Sequence, residues 1–184
     1  YGRVFQTGAQ RLSEAPHVFA IEMARSGRLG PIHTAYADCR WIDGLRRDWL
    51  PAEPEPPKDE LDWDVFLGPC PWRPFNQGYL ASGWYHFHEL ATDVAMWGAH
   101  TVAQVLAGLD MGNVSSIEFE HGGPQATMVT RLSNGVRLVL FRGEPCEYWR
   151  GSCGERFDGS EGWAAAADGY ARTDVSSPAL LREY

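Results

Sequence analysis

The stretch Trp84–Leu109, WYHFHELATDVAMWGAHTVAQVLAGL, decides how the rest of the chain is read. At about 100° per residue, Val94, Gly98, Val102, Val105, Leu106 and Leu109 share one face of a helix. Glu89, Asp93, His100 and Gln104 share the opposite face. Thr92 suits the N-cap before Asp93, and Gly108 or Gly112 suits the stop. A helix of this kind rests its apolar stripe on a core and turns an acid–histidine–amide stripe outward. That stripe is either a solvated face or a place for chemistry.

The chain around this helix has 184 residues, enough for one domain spanning 1–184. Its 44% apolar content fits a packed core. A formal net charge of −8 argues against a nucleic-acid backbone as partner, because phosphates need clustered Lys and Arg. No apolar run is long enough to span a membrane. The cysteines, Cys39, Cys70, Cys146 and Cys153, form no C-x-x-C pair and no zinc-ribbon spacing. Reduced, buried thiols and a cytoplasmic setting are therefore expected. A Cys146–Cys153 bridge is sterically conceivable, with nothing else in its favour.

The elements on either side follow from local signals. Residues 1–10 begin like a strand, with Val4 and Phe5 as strand formers and Gly8 as breaker. Pro16–Arg28 reads as a helix closed by Gly30, and Ile32–Arg40 as a strand. Residues 44–60 contain PAEPEPPKDE, a Pro-rich acidic stretch that reads as an extended surface loop. Leu61–Asn76 is dense in Trp and Pro and reads as a packed irregular loop after a short apolar turn. Strands are expected at Val114–His121, Ala126–Leu132 and Val136–Arg142, the last two joined at Ser133-Asn134-Gly135. Further short strands are expected at Cys146–Arg150, Glu155–Asp158 and Gly162–Ala167. The fold class is α+β, a largely antiparallel open sheet with helices packed on one face.

Several runs, taken in order, resemble the second, sheet-forming domain of the Gfo/Idh/MocA oxidoreductases. VFQTGAQRLS from Val4 is similar to the family's Gln-x-Gly-x-Gln-Arg run. LDWDVFLGPCPWRPFN from Leu61 resembles its Trp-Asp-x-(Trp/Phe)-Leu-Gly-Pro segment. WGAH from Trp97 resembles the end of its Asp-x-Gly-x-His helix motif. RLSNGVRLVLF from Arg131, GERFDGSEGW from Gly154 and SSPALLRE from Ser176 complete the series. Neither a G-x-G-x-x-G unit nor the family's Glu-Lys-Pro segment is present.

The resemblance implies the substrate-binding and oligomerising domain of an NAD(P)-dependent sugar or polyol oxidoreductase. NAD or NADP would sit in a separate or missing Rossmann domain, so the chain alone is not expected to be redox-competent. A homo-oligomer through the sheet face is implied, with no nucleic-acid or membrane partner. His100 matches the family's helix histidine, which exchanges a proton with a sugar hydroxyl. Four residues earlier stands Met96 where the family has Asp, and a thioether cannot orient an imidazole as a carboxylate does. Asp93, on the same face, is the substitute catalytic candidate.

Trp72, Arg73, Trp84, His86, His88 and Glu89 are candidate substrate contacts, the Trp residues equally suiting core packing. His86 and His88 flank Phe87, and with Glu89 or His100 they are an alternative metal set; no metal is expected. His17, His33 and His121 lack a surrounding constellation and read as structural or exposed. The alternative function is a stand-alone carbohydrate-binding module or metal-assisted acid/base enzyme that has lost hydride transfer.

Overall fold

The computed structural model describes residues 2–39, 48–81, 86–87, 90, 93–109, 111–112, 115–122, 127–141, 152–168 and 174–182. The chain divides into two compact units, Tyr1–Arg40 with Trp97–Tyr184, and Trp41–Met96.

The larger unit is built on one sheet of seven strands: β1 (Ile32–Asp38), β2 (Ser116–Gly122), β3 (Thr127–Leu132), β4 (Arg137–Phe141), β5 (Ser152–Gly159), β6 (Gly162–Asp168) and β7 (Asp174–Val175). Their order is β2-β3-β4-β1-β5-β6-β7. All the pairs are antiparallel except β1 with β4. The α+β class and the mostly antiparallel sheet are as expected from the sequence. Strand β1 comes early in the chain yet lies at the centre, with Ala35, Ala37 and Asp38 all buried. The β3–β4 hairpin turns where Asn134-Gly135 stands, with Gly135 at φ +87° and Asn134 Oδ1 accepting the Val136 N–H at 3.1 Å.

Two helices cover one face of this sheet. Helix α1 (Ala15–Arg25) opens with Pro16 in its first turn and packs on β5 and β6. A second short helix, α2 (Trp63–Leu67), belongs to the smaller unit. Helix α3 (Asp93–Gly108) reaches β5 through Gly108, where a Cβ would stand 2.3 Å from the Phe157 ring. His17 of α1 meets Glu155, and Gly108 of α3 meets Phe157. Glu155 and Phe157 are two apart on β5 and point to the same face, so both helices lie on that face. On the other face Tyr36, Val129, Val139 and Phe141 form an apolar cluster.

Two expectations are corrected in this unit. Residues 2–9 form no strand: Val4 is 97% and Phe5 89% exposed, and no described strand supplies the hydrogen bonds a strand needs. The buried face of α3 also departs in part from the one the apolar pattern picks. Gly98, Val105 and Leu109 are buried as the pattern expects, but Thr101, Gln104 and Gly108 are buried with them, while Leu106 is 38% exposed. Gln104 turns inward because a hydrogen-bonding partner waits there. The expected strand at Cys146–Arg150 lies outside the described residues.

The smaller unit has an aromatic core of Trp63, Leu67, Phe75, Tyr79 and Phe87. Asp62 caps α2 by accepting the Val65 N–H. Trp63 and Phe75 meet edge-to-face at 5.2 Å, as do Tyr79 and Phe87 at 4.7 Å. The Pro-rich stretch is exposed but strapped down. Asn76 Nδ2 donates to the Pro51 carbonyl at 2.8 Å, and the Glu53 N–H donates to the Phe75 carbonyl at 2.8 Å.

Candidate functional site

Helix α1 carries His17, Ala20, Ile21 and Ala24 at i, i+3, i+4 and i+7, and all four are buried. A histidine has therefore been placed in the apolar stripe. It meets a carboxylate in the middle of the sheet: His17 Nδ1 lies 2.8 and 3.0 Å from the two oxygens of Glu155. Glu155 is fully buried and His17 is 1% exposed. From α3, Gln104 Nε2 comes within 2.8 Å of the same ring nitrogen. One imidazole nitrogen carries one proton or one lone pair, so it serves only one of these partners. The carboxylate is the stronger partner, and Gln104 is left with unspent hydrogen-bonding capacity against the pair.

A second pair closes the cluster. Arg11, in a 3-10 turn at Gln10–Ser13, grips the carboxylate of Asp168 at the end of β6, with Nε donating to Oδ1 at 2.7 Å and Nη2 donating to Oδ2. Asp168 Oδ1 is 3.7 Å, and Glu14 Oε2 4.0 Å, from His17 Nε2. Beside them β5 bulges. The register shifts between Ser152 and Glu155, and Cys153 sits at φ +51°, a left-handed conformation unusual outside glycine. Asp38, ending β1, holds it there by accepting the Cys153 N–H at 2.9 Å.

Burial and neighbouring charge set the protonation of these groups. Burial pushes Glu155 up to about 7, against the opposing pull of His17. Burial also works against a charged His17, but the hydrogen bond and charge of Glu155, with Glu14 and Asp168, outweigh it and raise His17. The Arg11 hydrogen bond holds Asp168 below its ordinary value. His100 moves the other way, lowered first by burial and then by the Arg11 charge. It is a neutral imidazole near pH 7 and can accept a proton. Burial raises Cys153 to about 12 and Cys39 to about 11, so neither thiol is a nucleophile at neutral pH.

Among the described residues of the larger unit, three buried polar atoms have no hydrogen-bond partner: Arg11 Nη1, His100 Nδ1 and Gln104 Oε1. Orphans of this kind are uncommon, since buried polar atoms are nearly always paired. All three belong to the same network. Gln104 follows His100 by one turn of α3 and touches His17, and Arg11 both holds Asp168 and acts on the charge of His100.

The sequence candidates fall in different places. His100 lies in this cluster, half-buried. Asp93 is the first residue of α3, and its side chain lies outside the described residues, as do Trp84, His88 and Glu89. Trp72, Arg73 and His86 belong to the smaller unit. There Trp72 is 62% exposed, and Arg73 is fully buried with its guanidinium 5.4 Å from the Tyr79 ring and 5.9 Å from the Trp49 ring. His17 is corrected: it has the densest constellation of any described histidine, not an empty neighbourhood. Its place in the stripe Ala20–Ile21–Ala24 was the available signal. Arg11, Gln104, Glu155 and Asp168 were also missed as members of one site.

A nicotinamide dinucleotide needs a glycine-rich strand–turn–helix unit. The chain has no G-x-G-x-x-G, and in the parallel pair β1 ends at Asp38 while β4 begins only at Arg137. Among the described residues no strand–turn–helix unit of that kind is present.

No protein-family model matches the chain. No curated protein matches it either. Among solved structures it is similar to the super-repressor mutant of Gal80p from Saccharomyces cerevisiae, at 12% identity and a TM-score of 0.41 over 86% of this chain. The chain spans 40% of that structure's length. A likeness at this level identifies no ligand or partner.

Proposed function

We propose that this chain is the substrate-binding domain of a sugar or polyol oxidoreductase of the Gfo/Idh/MocA kind. The observation that carries the reading is the trio of buried, unpartnered polar atoms on Arg11, His100 and Gln104. A buried polar atom left unpaired costs about 1–3 kcal/mol, which a ligand hydroxyl recovers. The trio offers both donors and acceptors, as a polyol requires. The ordered sequence motifs add support, since His100 stands where the family's helix histidine stands.

In this reading His100 accepts the proton of a bound hydroxyl, and Gln104 and Arg11 position neighbouring hydroxyls. NAD(P) would be held by a Rossmann domain outside these residues. Cys39 and Cys153 are buried, reduced thiols, which suits a reducing, cytoplasmic setting. No described helix is long and apolar enough to cross a membrane. A homo-oligomer through the sheet face belongs to the same reading.

The test is calorimetric titration of the chain with a panel of monosaccharides and polyols. Saturable binding that weakens about tenfold or more in His100→Ala and Gln104→Ala is expected. Binding indifferent to both substitutions would overturn the reading. Met96, in place of the family's Asp, favours a second reading: a carbohydrate-binding or metal-assisted module without hydride transfer. Polyol binding without oxidation, in a preparation supplied with the cofactor domain, would select it.

A further inference from the structure

We infer that Glu14, His17 and Asp168 form a site for one divalent transition-metal cation, with Glu155 as the outer carboxylate that aims the histidine. One donor atom from each of the three lies within 4.8 Å of the other two. The His17 ring is fixed from behind: its Nδ1 is bonded to the fully buried Glu155, and its Nε2 faces Glu14 and Asp168. A carboxylate behind the ring and open donors in front is the usual arrangement of a metal-ligating histidine.

The spacings separate two accounts of this corner. At 3.7 Å to Asp168 and 4.0 Å to Glu14, Nε2 is too far to make a hydrogen bond with either carboxylate. Two donors that share an ion at about 2.1 Å stand about 3.0–3.4 Å apart. An ion therefore needs a closure of a few tenths of an ångström toward His17 and of up to about 1.4 Å between the two carboxylates, which lie within 4.8 Å, and Glu14, with its side chain 48% exposed, can supply most of it. Arg11 already holds Asp168, but each carboxylate oxygen has a second lone pair, and Oδ1 keeps one toward His17.

Charge agrees with geometry. Glu14 and Asp168 both face His17 Nε2 and Arg11 pairs only with Asp168, so negative charge is left at this corner for a dication to neutralise. One imidazole nitrogen with carboxylate oxygens suits Zn²⁺ or Mn²⁺ better than Ca²⁺ or Mg²⁺, which prefer all-oxygen shells. Three protein donors leave at least one position for water or a ligand oxygen. None of its three ligands is among the proposed polyol contacts, although Arg11 holds Asp168 and Gln104 touches His17.

The experiment uses the whole chain, stripped with EDTA and titrated with ZnCl₂ and, separately, MnCl₂ and CaCl₂. One equivalent of Zn²⁺ or Mn²⁺ is expected, with Ca²⁺ far weaker. Glu14→Ala alters a half-exposed side chain, should melt like the parent in EDTA, and should weaken Zn²⁺ binding at least tenfold. Glu155→Gln should weaken it by about 10–100-fold through the histidine it aims. Cobalt substitution should give visible d–d bands that vanish in Glu14→Ala. No retained equivalent of Zn²⁺ or Mn²⁺, or Zn²⁺ binding unchanged by Glu14→Ala, would overturn the inference. The polyol titration with His100→Ala is read separately, so either idea can fail alone.

Discussion

The two units bury polar groups in opposite ways. In the smaller unit Trp63, Asn76 and Tyr79 are answered by backbone groups of the same unit, and the buried Arg73 guanidinium lies against the Tyr79 and Trp49 rings. Trp63 Nε1 donates to the Arg73 carbonyl ten residues on, and Tyr79 Oη accepts the Leu50 N–H from 29 residues before. In the larger unit charged side chains answer one another across the fold. His17 and Glu155 are 138 residues apart, and Arg11 and Asp168 are 157 apart. The first arrangement serves packing. The second keeps three polar atoms unspent, and that surplus is what a ligand site needs.

The largest expected effect is on the charged network. His17→Ala leaves Glu155 buried without its partner and should cost about 3–5 kcal/mol in chemical denaturation at neutral pH. Replacing both His17 and Glu155 by apolar residues should cost less than that single change, because no orphaned charge remains. A double variant as damaged as the sum of the singles would mean that the two groups are not coupled.

The next effect is pH dependence, read in the presence of a chelator. His17 and Glu155 both hold their protons more tightly in the folded chain than in the unfolded one. The folded chain then binds more protons than the unfolded chain as pH rises from about 4.5 through about 7, and stability should fall across that window. The Glu155 share is on the order of 3 kcal/mol. Asp168, lowered by Arg11, acts oppositely: its contribution is present above the ordinary carboxylate range and fades on acidification below it. Glu155→Gln should flatten the decline toward alkaline pH. A decline just as steep in that variant would place its origin elsewhere.

A smaller loss is expected where α3 meets the sheet. Gly108→Ala brings a methyl into the fully buried Phe157 ring. The overpacking should cost about 1–3 kcal/mol, despite the better helix propensity of alanine. In the smaller unit Tyr79→Phe removes only the acceptor for the Leu50 N–H, and about 1 kcal/mol should be lost. Ligand and metal titrations should be untouched by Tyr79→Phe. If they change, the site is not confined to the larger unit.

Legibility in the sequence followed the range of the interactions. The β3–β4 hairpin was readable because Asn134-Gly135 forms its turn locally. Helix α3 was readable from its period, and its buried face only in part: Gly98, Val105 and Leu109 are buried as the pattern expects, but Gln104 is not an expected member. Gln104 is drawn inward by His17, 87 residues away, which no local pattern reports. Val4 and Phe5 misled for the same reason: strand propensity without a partner strand leaves an extended, exposed segment. His100 could be singled out because its helix carries a visible motif. His17 could not, since its meaning comes from Glu155 on a distant strand. A histidine inside an apolar helical stripe was the one local hint.

The most direct test of the site is an NMR titration of the chain, labelled with ¹⁵N at histidine, against saturating polyols and monosaccharides. The account predicts a saturable shift of the His100 ring nitrogens for at least one ligand, a smaller one at His17, and neither in His100→Ala. Ligand binding that leaves both rings unmoved, or that shifts only His86 in the smaller unit, would contradict it.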